Sequence, residues 1–229
     1  MEKKTIVLAT YGKAREHLHG ECMDALKDMG TPVMATRASA HIDVARSMLA
    51  CSALAHGADV VVFIDHDILF DPMDVEPLAE EARARCAVVG APYSMRKMGA
   101  GIVGAIDPAA GEVLFGEGGK PYPAIGVVGM GFTAIHRSAF ELLDGLSEYA
   151  PVNSSEGIMR PYFKKLVVGG YWLHEDASFC HAVRQAGGQT FVDTRIRLKH
   201  LGDHPYDIQD ARVRPPEEAT VRVQIKVAR

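Results

Sequence analysis

Apolar runs and amphipathic stretches alternate along the first part of the chain. Short apolar runs near Ile6–Ala9, Pro32–Thr36, Val60–Ile64 and Ala87–Gly90 read as strands. Between them, Leu18–Met29, Asp43–His56 and Asp74–Arg85 carry apolar residues at helical spacing. This alternation predicts a wound βαβ sheet. The unbroken run Val60–Ile64 predicts a strand buried on both faces, and ligands of such sheets gather at the carboxyl ends of the strands. The aspartates directly after Ile64 therefore stand where chemistry is expected.

The pattern then changes. Gly101–Ile106 and Glu112–Phe115 flank the turn-forming cluster Asp107–Gly111, which predicts a hairpin and so a mixed sheet. A strand is expected over Gly131–His136, followed by a helix with Ser138 as N-cap and a polar, lid-like loop over Pro151–Pro161. Glu175–Ala186 reads as a helix stopped at Gly187–Gly188, with strand-like Thr190–Val192 and Ile196–Leu198 beyond it. Past His204, Pro215–Pro216 marks a break. Val221, Val223, Ile225 and Val227 then alternate with polar residues, the pattern of a half-buried strand that completes the sheet or pairs with a second subunit in a homodimer. The organisation expected is one catalytic domain over 1–204 and an extension over 205–229.

Composition narrows the function classes. A chain of 229 residues with 48% hydrophobic content can bury the core of a single α/β domain. A net charge of -4 without a basic block gives no general attraction to nucleic acid or anionic lipid. Cys22, Cys51, Cys86 and Cys180 are scattered and form no CxxC pair, which disfavours a disulfide framework or a cysteine zinc site. The N-terminus reads as a strand rather than a signal peptide, and no run approaches the roughly 20 apolar residues of a membrane span. A cytoplasmic location is the expectation.

Asp65-His66-Asp67 places two carboxylates two residues apart. In extended geometry both lie on one side, with His66 pointing away. Magnesium and manganese take one or two such carboxylates and complete their shell with phosphates and water. The same aspartates also fit a turn cap, as Asp71-Pro72 does.

The surrounding residues extend the pattern. Val61–Pro72 resembles the DxD segment of GT-A glycosyltransferases. Upstream, Asp43–Leu49 resembles the "ARN" helix start of many bacterial members. Downstream, Gly129–Arg137 resembles their acceptor-side glycine segment, His174–Cys180 their "ED" helix, and Lys199–His204 their "H-x-G" element. These segments occur in the family's order over most of residues 5 to 204. The resemblance implies an α/β protein of the GT-A (nucleotide-diphospho-sugar transferase) fold, a Rossmann-like mixed central sheet flanked by helices. It also implies a divalent metal, manganese or magnesium, a nucleotide-sugar donor with UDP as the default, and a hydroxyl-bearing acceptor.

The resemblance assigns roles as well. Asp67 would ligate the metal and Asp65 would contact the donor ribose or the metal, with His66 at the variable position between them. His200 would be the third ligand. Thr10 and Tyr11 fall where the family binds the base, Tyr11 by stacking. Arg46 would offer paired donors to phosphate, or be an ordinary helix arginine. Lys199 or His204 would neutralise charge on the departing diphosphate. Asp176 would be the general base of an inverting reaction and Glu175 would orient hydroxyls, although both also suit a helix start. Gly129 and Gly131 would let the backbone approach sugar or acceptor, or mark a bulge. Trp172 would stack on a sugar ring, or belong to the core.

Two competing classes remain. A sugar-nucleotide-forming nucleotidyltransferase shares the sheet and acidic ligands but opens on a glycine-rich loop, which Thr10-Tyr11-Gly12-Lys13 is not. A non-catalytic nucleotide-sugar-binding module would keep the pocket without turnover.

Overall fold

The structure, a computed structural model, describes residues 3–11, 16–37, 41–97, 99–154, 157–202 and 205–210. The strands of its main sheet are β1 (Thr5–Tyr11), β2 (Val33–Arg37), β3 (Val60–Asp65), β4 (Val88–Gly90), β5 (Pro121–Pro123), β6 (Phe132–His136) and β7 (Thr190–Asp193). They form a seven-stranded sheet in the order β2-β1-β3-β6-β4-β7-β5. The pairs β1–β2, β1–β3 and β4–β7 are parallel, whereas β6 runs antiparallel to β3 and β4, and β5 antiparallel to β7. The proline-rich β5 sits at the edge, where missing N–H donors cost no ladder bond.

Period-two alternation along β3 builds two cores. Val61 and Phe63 join one apolar cluster, covered by α2 (Ile42–Ala55), α4 (Arg137–Asp144) and α5 (Glu175–Gln185). Val60, Val62 and Ile64 join the other, covered by α1 (Glu16–Asp28) and α3 (Val75–Arg85). Helices on both faces of a mixed sheet are the architecture the pattern predicts. None of the described helices is long and apolar enough to cross a membrane.

Several local expectations are corrected. The hairpin across Asp107–Gly111 does not form: Ile102–Val103 pairs backward with Tyr93–Ser94, and Asp107 instead caps a single 3-10 turn, Pro108–Ala110, accepting from Ala109 N–H at 2.9 Å. That cap satisfies the turn locally and leaves Glu112–Phe115 outside any strand. The N-cap of α4 is His136, whose side chain accepts from Ser138 N–H, rather than Ser138 itself. The segment read as a loop over 151–161 contains a short hairpin, Val152–Ser154 with Gly157–Met159. The strand expected at Ile196–Leu198 begins later, at Lys199–Leu201. There it pairs with Ile68–Leu69 on one side and Pro205–Tyr206 on the other. The C-terminal strand read at 221–227 and the break at Pro215–Pro216 lie outside the described residues.

Candidate functional site

The strand of β3 ends at Asp65, and His66–Asp67 form a turn before Ile68–Leu69. The extended geometry expected for the two carboxylates therefore does not continue past Asp65, and each carboxylate acquires its own partners.

Asp65 faces α2. Both of its oxygens accept from Arg46 Nη2 at 2.8 Å, while Arg46 Nη1 donates to Glu175 Oε1 at 2.7 Å. Arg46 is only 4% exposed, so desolvation opposes its charge, yet Asp65, Glu175 and Asp176 together keep it protonated. Arg46 Nε is buried without a hydrogen-bond partner among the described residues. An orphaned donor costs about 1–3 kcal/mol, a cost a fold tolerates where the arginine is needed to hold two carboxylates. Ser47 helps fix this end of α2, its Oγ donating to Asp43 C=O at 2.8 Å and accepting from Phe163 N–H at 3.1 Å. Arg46, expected at phosphate, has both amino groups on carboxylates in this structure and joins α2, β3 and α5.

Asp67 faces the strand after β7. Its Oδ2 lies 3.4 Å from His200 Nε2 and 3.1 Å from Arg96 Nη1. His200 Nδ1 stands 2.9 Å from the Ser94 C=O. A carbonyl can only accept, so Nδ1 carries a proton, and Nε2 is the ring nitrogen that faces Asp67. Burial raises the Asp67 pKa, but hydrogen bonding and charge from His200, with the charges of His66 and Arg96, hold it below the ordinary value. Among the described residues no three His, Cys, Asp or Glu side chains cluster to hold a metal. The pair that does meet, one carboxylate and one imidazole backed by a carbonyl, is a donor set suited to an ion that draws its other ligands from phosphate and water.

Asp176 stands in the first turn of α5 beside Glu175. Burial, then the charge of Glu175, raises its pKa, against the opposing influence of Ala177 N–H, Arg46 and His174. A carboxylate so raised holds a proton more readily than an ordinary aspartate.

Tyr93 links the two halves. Its buried ring packs edge-on against His200, with centroids 5.1 Å apart. Burial and the charges of Asp65 and Asp176 raise its phenol pKa, so it stays protonated. The same ring, joined by Val103, accounts for the glycines: a Cβ at Gly129 would lie 2.4 Å from Val103 Cγ1 and 2.5 Å from Tyr93 Oη, and one at Gly131 2.9 Å from the Tyr93 ring. In this structure Tyr93 approaches both Gly129 and Gly131 closely, and Val103 approaches Gly129. Gly131 C=O also accepts from Asp65 N–H at 3.0 Å, which seats this segment against β3.

The remaining predicted residues are scattered around this centre. Thr10 pairs with Asp65 in the sheet register and Tyr11 with Arg37, which puts their backbone at the carboxyl edge; their side chains lie outside the described portion. His66 is half-buried in the turn, and Lys199 is exposed, its backbone paired with Leu69. His204 lies outside the described residues. Trp172 is 65% exposed, which rules out the core, and pairs across a hairpin with exposed Val167. That hairpin is tied to α5 by Ser178 Oγ, which accepts from Leu166 N–H at 3.0 Å.

Tyr93, Ser94 and Arg96 are absent from the sequence-based site. The signal that would have found them is position: they follow the carboxyl end of β4, the same sheet edge that directed attention to Asp65.

No family model and no curated protein matches the chain. Among solved structures, A197 from STIV aligns over 87% of this chain and 86% of that one, with a TM-score of 0.55 and 18% identity. The crystal structure of GalNAc-T7 with UDP, GalNAc and Mn2+ aligns over 95% of this chain and 46% of that chain, with a TM-score of 0.50 and 16% identity. At such identities the similarity is one of fold. With its helix-covered mixed sheet and these structural neighbours, the chain has the GT-A, or nucleotide-diphospho-sugar transferase, fold.

Proposed function

We propose that this chain is a metal-dependent glycosyltransferase of the hexosyltransferase type, moving a sugar from a nucleotide-diphosphate donor, with UDP as the base, to an acceptor hydroxyl with inversion. The observation that carries this reading is the meeting of Asp67 with His200, on which Tyr93 packs, at the sheet edge where Arg46 holds Asp65 and Glu175, the neighbour of Asp176. The Mn2+ and UDP of the GalNAc-T7 structure support the choice of cofactor and base by analogy of fold.

Asp67 Oδ2 and His200 Nε2 are the atoms that would hold the cation, with Ser94 C=O fixing the tautomer of the ring. When bound, a divalent ion supplies Lewis-acid neutralisation of the leaving diphosphate. Arg46 fixes Asp65 and Glu175, carboxylates that would accept from hydroxyls of the donor and the acceptor. Asp176 takes the acceptor hydroxyl proton as the acceptor oxygen bonds to the anomeric carbon. The bond from that carbon to the diphosphate oxygen breaks, and its electron pair leaves with the diphosphate. Trp172 and Val167, exposed beside the start of α5, offer the apolar face on which an acceptor or sugar ring rests.

Asp67→Ala and Asp176→Asn separate the two roles. Both are expected to abolish transfer, while only Asp67→Ala weakens Mn2+-dependent UDP binding, read as the loss of a Mn2+-linked rise in melting temperature. Persistent transfer in both variants overturns the assignment.

A further inference from the structure

Arg96 stands in the loop between Tyr93–Ser94 and Ile102–Val103, a loop closed by Met95 N–H donating to Gly101 C=O at 3.0 Å. Its Nη1 lies 3.1 Å from Asp67 Oδ2, the same oxygen that His200 Nε2 faces at 3.4 Å. The side chains differ sharply in freedom: Arg96 is 53% exposed, whereas Asp67 and His200 are 12% and 13% exposed. The carboxylate and the imidazole are built into the fold, and the guanidinium is the member that can leave with little repacking. Its stem runs past Gly202, where an added Cβ would come within 3.3 Å of Arg96 Cδ. The absence of a side chain at Gly202 thus leaves room for Arg96 to lie over Asp67.

We propose that Arg96 is a built-in counter-cation, holding at Asp67 the place that the divalent metal takes and yielding it when metal and nucleotide arrive together. The inference rests on the reading of Asp67 and His200 as metal ligands. A guanidinium and a dication repel one another across a single carboxylate oxygen, so each weakens the other's hold on Asp67. Once displaced, Arg96 stays tethered beside the site, and its paired N–H donors match the oxygens of a diphosphate. The nucleotide diphosphate thus compensates Arg96 for the partner it loses. Metal and nucleotide thereby strengthen each other's binding, reciprocally, and metal alone binds weakly.

Mn2+ titrations of the full chain, followed by the electron paramagnetic resonance signal of free Mn2+ with and without UDP, test this. Without UDP, Arg96→Gln and Arg96→Ala are expected to bind Mn2+ about fivefold tighter than the wild type, the scale of a half-exposed ion pair. Their gain in Mn2+ affinity on adding UDP is expected to be smaller than in the wild type, whereas Arg96→Lys, which keeps a cation, is expected to stay close to the wild type. Asp67→Asn is expected to remove the site in every background. If Asp67→Asn removes Mn2+ binding but neither Arg96→Gln nor Arg96→Ala tightens it, the metal reading stands and the counter-cation role is overturned. If Mn2+ binding is indifferent to Asp67→Asn, or absent throughout with and without UDP, the ligand assignment itself fails and the inference falls with it.

Discussion

Asp176 and Asp67 are carboxylates of one chain pushed in opposite directions by their surroundings. Burial and Glu175 raise Asp176, whereas His200, His66 and Arg96 outweigh burial and lower Asp67. Such divergence separates a group that takes up a proton from one that stays ionised against a cation. With Asp176 as the base proposed above, kcat/KM is expected to fall on the acid side through an apparent pKa above the ordinary aspartate value of about 4. Glu175→Gln removes the like charge and is expected to shift that acid limb to lower pH. A limb at or below the ordinary value in the wild type, or one unmoved in the variant, removes Asp176 from the role of base. At this scale the sequence was a partial guide. It marked Asp65, Asp67, Glu175, Asp176 and His200, of which Asp65 and Glu175 share Arg46, Asp176 adjoins Glu175, and Asp67 meets His200. It did not mark Arg96 or Tyr93, because an arginine or tyrosine in a loop carries no pattern until a carboxylate or a glycine is seen beside it.

At the scale of elements, ion pairs tie the sheet to its helices at both ends of β3. At the carboxyl end, Arg46 binds α2 to β3 and α5. Near the amino end, Asp59 accepts from Arg83 of α3 at 2.8 Å and from Lys4 N–H at 2.7 Å, and Arg83 also reaches Thr5 Oγ1 and Glu76. Burial raises the Asp59 pKa, but Arg83 and Lys4 N–H more than offset it, so the folded value lies below that of the unfolded chain. A depressed folded pKa contributes stability above the unfolded value, about 3.9, and that contribution is lost as pH falls through the folded one. Asp59→Asn is therefore expected to lower unfolding stability by about 1–3 kcal/mol at neutral pH. The gap from the wild type should close progressively below pH ~4 in urea titrations. A gap that is independent of pH would show that the Asp59 charge is not what stabilises this joint. The helices and most sheet strands were legible as apolar runs and helical periodicity, whereas the hairpin expected at 101–115 was not, because Asp107 closes its turn locally and Ile102–Val103 finds a partner earlier in the chain.

At the scale of the molecule, the sheet separates two cores, and the one under α2, α4 and α5 is joined by aromatic contacts. Phe163 stacks on Phe179 at 4.6 Å and meets Phe63 edge-on at 5.1 Å. Phe163 also donates its backbone N–H to Ser47, next to Arg46. Phe163→Ala is expected to cost about 3–5 kcal/mol of global stability and to weaken Mn2+-linked UDP stabilisation by loosening the end of α2. Full retention of that linked stabilisation, measured by calorimetry, would separate the core from the site.

What the sequence by itself determined is the layered sheet and the edge at which to look, because apolar periodicity and strand ends are local properties of the chain. Only the tertiary structure decided which carboxylate meets which cation. Arg46 and Glu175 lie 129 residues apart, and Ser94 and His200 106 apart, so their meeting depends on the strand order rather than on neighbouring letters. Burial then supplies the rest: the same aspartate side chain is lowered at Asp67 and raised at Asp176 by the company the fold gives it.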